Sequence, residues 1–228
     1  MTADAVRDLF DDVAPWYDAM NRRMSLGLDL YWRRRAVGLV PRANHRVLDL
    51  ATGTGDLAIA AARQGLERVV GVDPSAGMLA LGRGKVARAG LDGQVLLLRG
   101  DALALPFPEG AFDAVVNAFV LRNLSDLAGA FAEMARVARP GGRLICLEIA
   151  YPRFPPWGAL FRLYFERIVP LLGRWLTRVA PAYRYLPESL ARFPPPQVVR
   201  ACLWEAGWRE VGVHRLFPGT AVLYTARR

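Results

Sequence analysis

Three aspartates stand where short apolar runs end: Asp49 within Val47 to Leu50, Asp73 after Arg68 to Val72, and Asp101 after Val95 to Gly100. The first run leads into Ala51-Thr52-Gly53-Thr54-Gly55-Asp56 and then the apolar Leu57 to Ala62, which reads as strand, turn and helix. At Gly53 and Gly55 no side chain holds a ligand away from the backbone, and a helix start offers unpaired N–H groups. Acids at the carboxyl ends of successive strands suit a ligand that presents hydroxyls, an amine and a positive centre. They suit a pyrophosphate badly, because like charges repel. The dinucleotide fingerprint G-x-G-x-x-G also fails: Ala58 stands where its third glycine would be, and Asp56 puts an anion in the phosphate position. Asp73 lies about twenty residues beyond the turn, the spacing of an acid that holds a ribose. The pattern predicts an adenosine without phosphates that carries a sulfonium: S-adenosylmethionine, with S-adenosylhomocysteine as product.

The composition removes other chemistries. His45 and His214 are the only histidines, and Cys146 and Cys202 the only cysteines, so neither a metal site nor a disulfide framework is expected. Thirty basic residues against 21 acidic give a net charge of +9, and Lys85 is the only lysine. A basic surface favours polyanions, nucleic acid or anionic lipid headgroups, but Arg bias alone assigns no function. The start Met1-Thr2-Ala3-Asp4 has no apolar secretion core, and no apolar run reaches the length of a membrane span. The expected location is the cytoplasm, with peripheral contact at the inner face of the membrane.

These residues need a scaffold. Residues 5–40 read as helical. From 45 to 149 strands and helices alternate, with strands near 45–50, 67–73, 94–99, 112–118 and 143–149 and helices near 56–64, 75–89 and 125–138. Such alternation predicts an α/β fold with a doubly wound, Rossmann-like sheet. Pro140-Gly141-Gly142 reads as a turn before the fifth strand. A helix near 195–206 and strands near 208–216 and 220–227 finish the sheet with a hairpin, which makes the last strand antiparallel. One domain spans 1–228: a helical segment 1–44, a core 45–150, a helical insertion or lid 151–192, and the sheet completion 193–228. The lid opens at Phe154-Pro155-Pro156-Trp157 and mixes apolar residues with Arg153, Arg162, Arg167, Arg174 and Arg178; Pro170 should kink it. It reads both as a roof over the pocket and as a basic amphipathic surface for a membrane.

At this point the chain resembles the quinone C-methyltransferases of menaquinone and ubiquinone biosynthesis, class I enzymes that use S-adenosylmethionine. The resemblance covers about residues 9–226. It rests on Tyr17-Asp18-Ala19-Met20-Asn21 with Met24-Ser25-Leu26-Gly27, on Leu121-Arg122-Asn123 with Arg136-Val137, Pro140-Gly141-Gly142-Arg143-Leu144 and Leu147-Glu148, and on Tyr183-Arg184-Tyr185-Leu186-Pro187-Glu188-Ser189 with Phe193-Pro194. Asp29 and Tyr224 stand where that family usually has histidine, and Val120 and Ala226 where it has glycine.

With the resemblance, roles follow. Gly53, Thr54 and Gly55 are expected to cradle the methionine and ribose of the cofactor, with Asp49 either in contact or holding the turn. Asp73 takes both ribose hydroxyls; Asp101 and the backbone of Ala102 meet the adenine edge; Asn117 and Ala118 floor the sulfonium. The implied acceptor is a lipophilic prenylated quinol, demethylmenaquinol becoming menaquinol. A benzoquinol of the ubiquinone route, or another apolar aromatic, is the alternative. An ionised phenol makes the ring nucleophilic. A phenol of pKa near 10 is ionised about one part in a thousand at neutral pH, a cost of ~4 kcal/mol. Arg122 is expected to stabilise that charge and Asn123 to orient a water or ring oxygen, with Tyr17 and Asp29 as further catalytic candidates and Glu148 as partner to a lid arginine. A methyltransferase acting on RNA lacks its Asn/Asp-Pro-Pro-aromatic pocket motif here, so no nucleic acid is expected. A non-catalytic, cofactor-binding membrane adaptor shares the same turn. An oligomer is compatible with the sequence.

Overall fold

The computed structural model describes residues 2–42, 46–171 and 180–228; His45 and the lid residues Leu172, Arg174, Trp175, Leu176 and Arg178 lie outside them. Helices α1 (Ala3–Met24) and α2 (Leu28–Val37) precede β1 (Arg46–Leu50). Then follow α3 (Asp56–Arg63), β2 (Arg68–Asp73), α4 (Ala76–Arg88), β3 (Val95–Arg99), β4 (Phe112–Ala118), α5 (Leu127–Val137) and β5 (Ala138–Ile149). The lid segment holds α6 (Pro155–Leu163), a wide π turn (Tyr164–Ile168) and α7 (Ala180–Arg192); α8 (Pro196–Glu205), β6 (Arg209–Leu216) and β7 (Ala221–Arg227) complete the chain. The seven strands lie in the order β3-β2-β1-β4-β5-β7-β6. The first five are parallel, and β7 is antiparallel to both β5 and β6. This is the α/β architecture of class I methyltransferases, and its reversal of strand order at β1 and β4 puts a cleft beyond their carboxyl ends.

The strand period of two distributes the core. Val47, Ala114, Val116 and Ile145 face α2, α3 and α4, whereas Leu48, Leu50, Val115, Leu144 and Cys146 face α5 and α8. Both faces are covered, as parallel strands require. Ser75 caps α4 by accepting from Met78 N–H at 3.0 Å, and Asp126 caps α5 by accepting from Gly129 N–H at 2.9 Å.

Two expectations change in detail. Pro140-Gly141-Gly142 does not end β5's pairing; it loops out of it. Ala138 pairs with Phe112 and Arg143 with Ala114, so the intervening residues bulge against Asp113, with Gly141 at φ +76°. In the lid, the N–H of Val169 bonds to the carbonyl of Tyr164, one residue further back than in an α-helix. Pro170 lacks an N–H and crowds the carbonyl four residues before it, and the disturbance expected there takes the form of a wide turn directly before it.

Helix α1 crosses over the sheet's carboxyl end and is pinned there by charge. Asp11 accepts from Ser75 Oγ at 2.6 Å and from Gly77 N–H at 2.8 Å at the start of α4. Lys85 on α4 pairs with Asp18 at 2.7 Å and with Asp56, and donates to Thr54 Oγ at 3.0 Å. Arg22 bridges Asp56, at 2.6 Å, and Asp29. One network thus ties α1, α2, α3 and α4. Lys85→Met would leave Asp18 without its ion-pair partner and Asp56 with Arg22 and the nearby charge of Arg33. We expect a loss of about 1–3 kcal/mol, read as a lower thermal midpoint at about 2–4 °C per kcal/mol. An unchanged midpoint would mean that the network contributes nothing to holding α1.

Candidate active site

Two cavities meet beneath α1. The first is an open cleft bordered by Ala51, Gly53, Asp73, Asp101, Ala102 and Ala118 from the strand ends and by Val6, Phe10 and Tyr17 from α1. At its base the chain turns sharply after β1, where Ala51 has φ +54° and Gly53 φ +56°. The Gly53 N–H donates to Asp73 Oδ2 at 2.8 Å, and Ser75 N–H donates to Asp73 Oδ1 at 2.9 Å. Each carboxylate oxygen is fixed by a backbone donor and retains a lone pair for a ligand. Asp101 is exposed on the rim, where its Oδ1 accepts from Leu103 N–H at 2.9 Å. The S-adenosylmethionine expected from the sequence fits these groups: hydroxyls to Asp73, an amine to the Asp101 rim, apolar faces to Ala102 and Ala118, and no phosphate to accommodate.

Burial raises the Asp73 carboxyl from its ordinary 3.8 to about 6, against the pull of the Ser75 and Gly53 N–H groups, with Asp11 adding to the rise. Ribose hydroxyls donate to the ionised form, so binding must expel any proton already there. Affinity is therefore expected to hold above about pH 6 and to weaken below it, by up to about tenfold per pH unit. Calorimetric titrations with the cofactor between pH 5 and 8 check this; a flat profile would remove Asp73 from the site.

The second cavity is a largely apolar chamber. Leu9, Val13, Met20 and Met24 from α1, Trp32 from α2, Ile149 from β5, Phe161 and Phe165 from the lid, and Leu186 from α7 make its walls. Its polar points are few: Asn21, Ser25, Asp29, Arg122, Tyr185 and Thr220. Phe10, Tyr17 and Phe119 border both cavities. The boundary between them is therefore aromatic.

Phe119 follows β4 with φ +66°, a conformation that bulky residues adopt only when their surroundings impose it. Its N–H is tied to Leu147 O at 2.7 Å; its ring meets Trp32 edge-on at 6.3 Å and carries the Arg33 guanidinium at 5.0 Å. Its carbonyl accepts from Arg122 Nη1 at 3.0 Å and from Asn123 Nδ2 at 3.4 Å. Arg122 also forms an ion pair with Glu148, both buried. Tyr185 Oη donates to Asn123 Oδ1 at 3.1 Å, joining the third of the recurring segments to the second.

The structure relocates several expected site residues. Asp49 lies behind the turn, fully buried, where it accepts from Thr52 Oγ at 2.6 Å; burial lifts its carboxyl to about 7 in spite of that bond and the nearby Arg33 charge. It holds the turn and does not border the cleft. Thr54 directs its hydroxyl to Asp18, at 2.6 Å, and does not border the cleft. Gly55, at φ +79°, packs towards Gly82 of α4 instead of cradling anything. Asn117 is turned to the α5 side, its Nδ2 3.1 Å from Cys146 Sγ, so it does not floor the cleft; Ala118, next along the strand, does. Asp56 faces the α3–α4 groove between Arg22 and Lys85, so it is not the barrier to a phosphate that the sequence suggested. Among the described residues Glu148 partners Arg122; the lid arginines Arg174 and Arg178 lie outside them. Gly53, Asp73, Asp101, Ala102, Ala118 and Asn123 border the first cavity, Arg122 and Asp29 the second, and Tyr17 both. Of the departures from the family pattern, Asp29 meets the chamber and Val120 the cleft, but Tyr224 is buried in β7 opposite Cys146, a matter of core packing. Phe10 and Phe119 escaped the sequence reading. The apolar stripe on α1 and the place of Phe119 just past a strand end were the available signals.

Comparison with known proteins agrees with this geometry. The model of the ubiE/COQ5 methyltransferase family matches residues 1–228. A demethylmenaquinone methyltransferase from Thermus thermophilus is 47 % identical over 96 % of this chain and 100 % of its own. A ubiquinone/menaquinone biosynthesis C-methyltransferase UbiE from Geobacter sulfurreducens is 40 % identical over 99 % of this chain and 89 % of its own. Among solved structures, a Thermotoga maritima SAM-dependent methyltransferase, described as a possible histamine N-methyltransferase, superposes with a TM-score of 0.68 at 20 % identity, covering 97 % of this chain and 99 % of that one. At that identity the likeness is one of fold.

Proposed function

The chain belongs to the ubiE/COQ5 methyltransferase family, and from that premise we propose that it transfers a methyl group from S-adenosylmethionine to a ring carbon of a demethylated, prenylated naphthoquinol, giving menaquinol. One observation carries the reading: a cleft with a carboxylate at its base adjoins a separate apolar chamber, and Tyr17 and Phe119 border both.

S-adenosylmethionine, when bound, supplies an activated methyl on a positively charged sulfur. The chain's own contribution is chiefly position. Asp73 and Gly53 fix the nucleoside end, and Phe119 and Tyr17 confine the acceptor ring between aromatic walls; oriented reactants of this kind account for ~7–11 kcal/mol of a barrier. Arg122 reaches the chamber wall close to this boundary. Glu148 balances its charge, so it acts less as a free cation than as a held donor for a ring oxygen that gains negative charge. A guanidinium is a poor base, so Arg122 stabilises that charge and does not take the proton. Asn123, fixed by Tyr185, orients a water or the second ring oxygen. Asp29, engaged by Arg22 and by Ser25 Oγ at 2.9 Å, marks the chamber's polar end. The remaining apolar wall suits a prenyl chain. Among the described residues no helix is long and apolar enough to cross a membrane.

The test is transfer of label from methyl-labelled S-adenosylmethionine to short-tailed demethylnaphthoquinol and demethylbenzoquinol acceptors under reducing conditions. Label on the naphthoquinol ring, at the higher kcat/KM, is expected. Label on the benzoquinol alone would favour the second quinone, for which one relative is also named. Label on neither ring would reject both.

A further inference from the structure

The lid helix α6 and the turn after it are apolar on both sides. Phe161, Phe165 and Val169 face inward, the first two onto the chamber. Leu160, Leu163 and Leu171 face outward, each between 52 and 56 % exposed. The wide turn Tyr164–Ile168 brings Leu171, eight residues on, back into line with Leu163. An outward row of leucines on a helix whose inner side already packs on the protein is an exposed apolar patch of the kind that marks a docking surface. Its neighbours extend the patch. Tyr164 Oη donates to Met24 O at 3.0 Å and Trp157 Nε1 to Pro218 O at 3.0 Å, so α6 lies beside the loops that expose Leu26 and Phe217. Met24, Ser25, Phe161 and Phe165 line the chamber, which places this patch around one of its ends. The flanking charge is basic: Arg153, Arg162 and Arg167 against Glu166.

We propose that this face, formed by α6 with the loops at Leu26 and Phe217, docks in the headgroup and acyl boundary of an anionic bilayer, so that the acceptor's tail stays in lipid while its ring enters the chamber. The leucines supply apolar burial and the arginines attraction to anionic headgroups, the two contributions an interfacial helix needs. The tail route rests on the quinol reading given above; the docking itself does not.

The experiment is co-sedimentation of the full chain with vesicles of phosphatidylglycerol and phosphatidylcholine in equal parts, and with phosphatidylcholine alone, each without substrate. Wild type should partition onto the mixed vesicles and about tenfold less onto the neutral ones. Leu160→Ser with Leu163→Ser, both on the outer stripe, should weaken partition about tenfold or more. The same pair should leave turnover of a tail-less demethylnaphthoquinol in solution unchanged and lower turnover of a long-tailed one presented in vesicles. Wild type left in the supernatant, or a double variant that partitions like wild type, overturns the proposal. So does a wild-type dimer, seen by sedimentation velocity, that Leu160→Ser dissociates, because a second copy then covers the face. Vesicle binding without methyl transfer to any quinol would reject the substrate reading and leave the docking intact.

Discussion

Arg122→Met is expected to cut turnover by about 10²–10³ while leaving the affinity for S-adenosylmethionine within a few-fold of wild type. The factor is that of removing one preorganised donor from a developing negative charge. Cofactor affinity is spared because Arg122 borders the acceptor chamber and not the nucleoside cleft. The same substitution should also cost stability. Glu148 is fully buried, and among the described residues its charge keeps, without Arg122, two backbone N–H donors, Ile149 at 2.8 Å and Arg122's own at 3.3 Å. Breaking a buried pair from one side costs about 3–5 kcal/mol, whereas replacing both partners with apolar residues is often neutral. The informative pair of variants is therefore Arg122→Met alone and Arg122→Met with Glu148→Leu. The double variant should regain most of the thermal midpoint and none of the turnover. Recovery of turnover with stability would make Arg122 structural only. Lost turnover with kept cofactor binding would exclude a non-catalytic adaptor, since an adaptor has no turnover to lose.

Asp73→Asn is expected to raise the cofactor's dissociation constant by about 10- to 150-fold. Hydrogen bonds to a charged acceptor are worth ~1.5–3 kcal/mol each, and an amide in this place offers one acceptor where the carboxylate offers two. Its NH2 group would also confront the N–H of Gly53 or Ser75. The apo protein responds differently. Raising the carboxyl from 3.8 to about 6 means that ionised Asp73 burdens the folded state above that pH, by about 2–3 kcal/mol at neutrality. The variant loses that burden together with two backbone bonds, so the apo thermal midpoint should shift little. The rise in midpoint on adding cofactor should shrink by several degrees. Differential scanning fluorimetry with and without cofactor separates the two; an unchanged cofactor-induced rise would show that the ribose lies elsewhere.

Much of the scaffold was legible because parallel strands covered on both faces are continuous apolar runs, and five such runs alternate with helical stretches. Asp73 and Asp101 were legible for a related reason: an acid at the end of an apolar run has one place to go, the carboxyl edge of the sheet. What failed was the choice of face. Asn117 and Ala118 both end β4, but successive strand residues point to opposite sides, and a sequence alone does not say which side holds the ligand. Thr54 and Gly55 misled because the turn's glycine pattern belongs partly to packing: a Cβ on Gly82 of α4 would lie 2.8 Å from Leu97 Cδ1 and 3.2 Å from the Thr54 carbonyl carbon. The Arg122–Glu148 pair is separated by 26 residues and meets only because β4 and β5 lie side by side. The roof formed by α1 was hidden in the same way. Its amphipathic pattern announces a helix with something to cover, and only Asp11 on Ser75 and Asp18 on Lys85 say what.

Every role assigned above depends on one arrangement: a cleft for the nucleoside, a chamber for the ring, and an aromatic boundary across which the methyl must pass. A crystal structure of the protein with S-adenosylhomocysteine and a short-tailed demethylnaphthoquinol bound tests it most directly. The account predicts ribose hydroxyls on Asp73, adenine beside Asp101 and Ala102, sulfur at the gap between Tyr17 and Phe119, and the quinol ring in the chamber with an oxygen towards Arg122. A nucleoside seated away from Asp73, or a ring held outside the chamber, would contradict it.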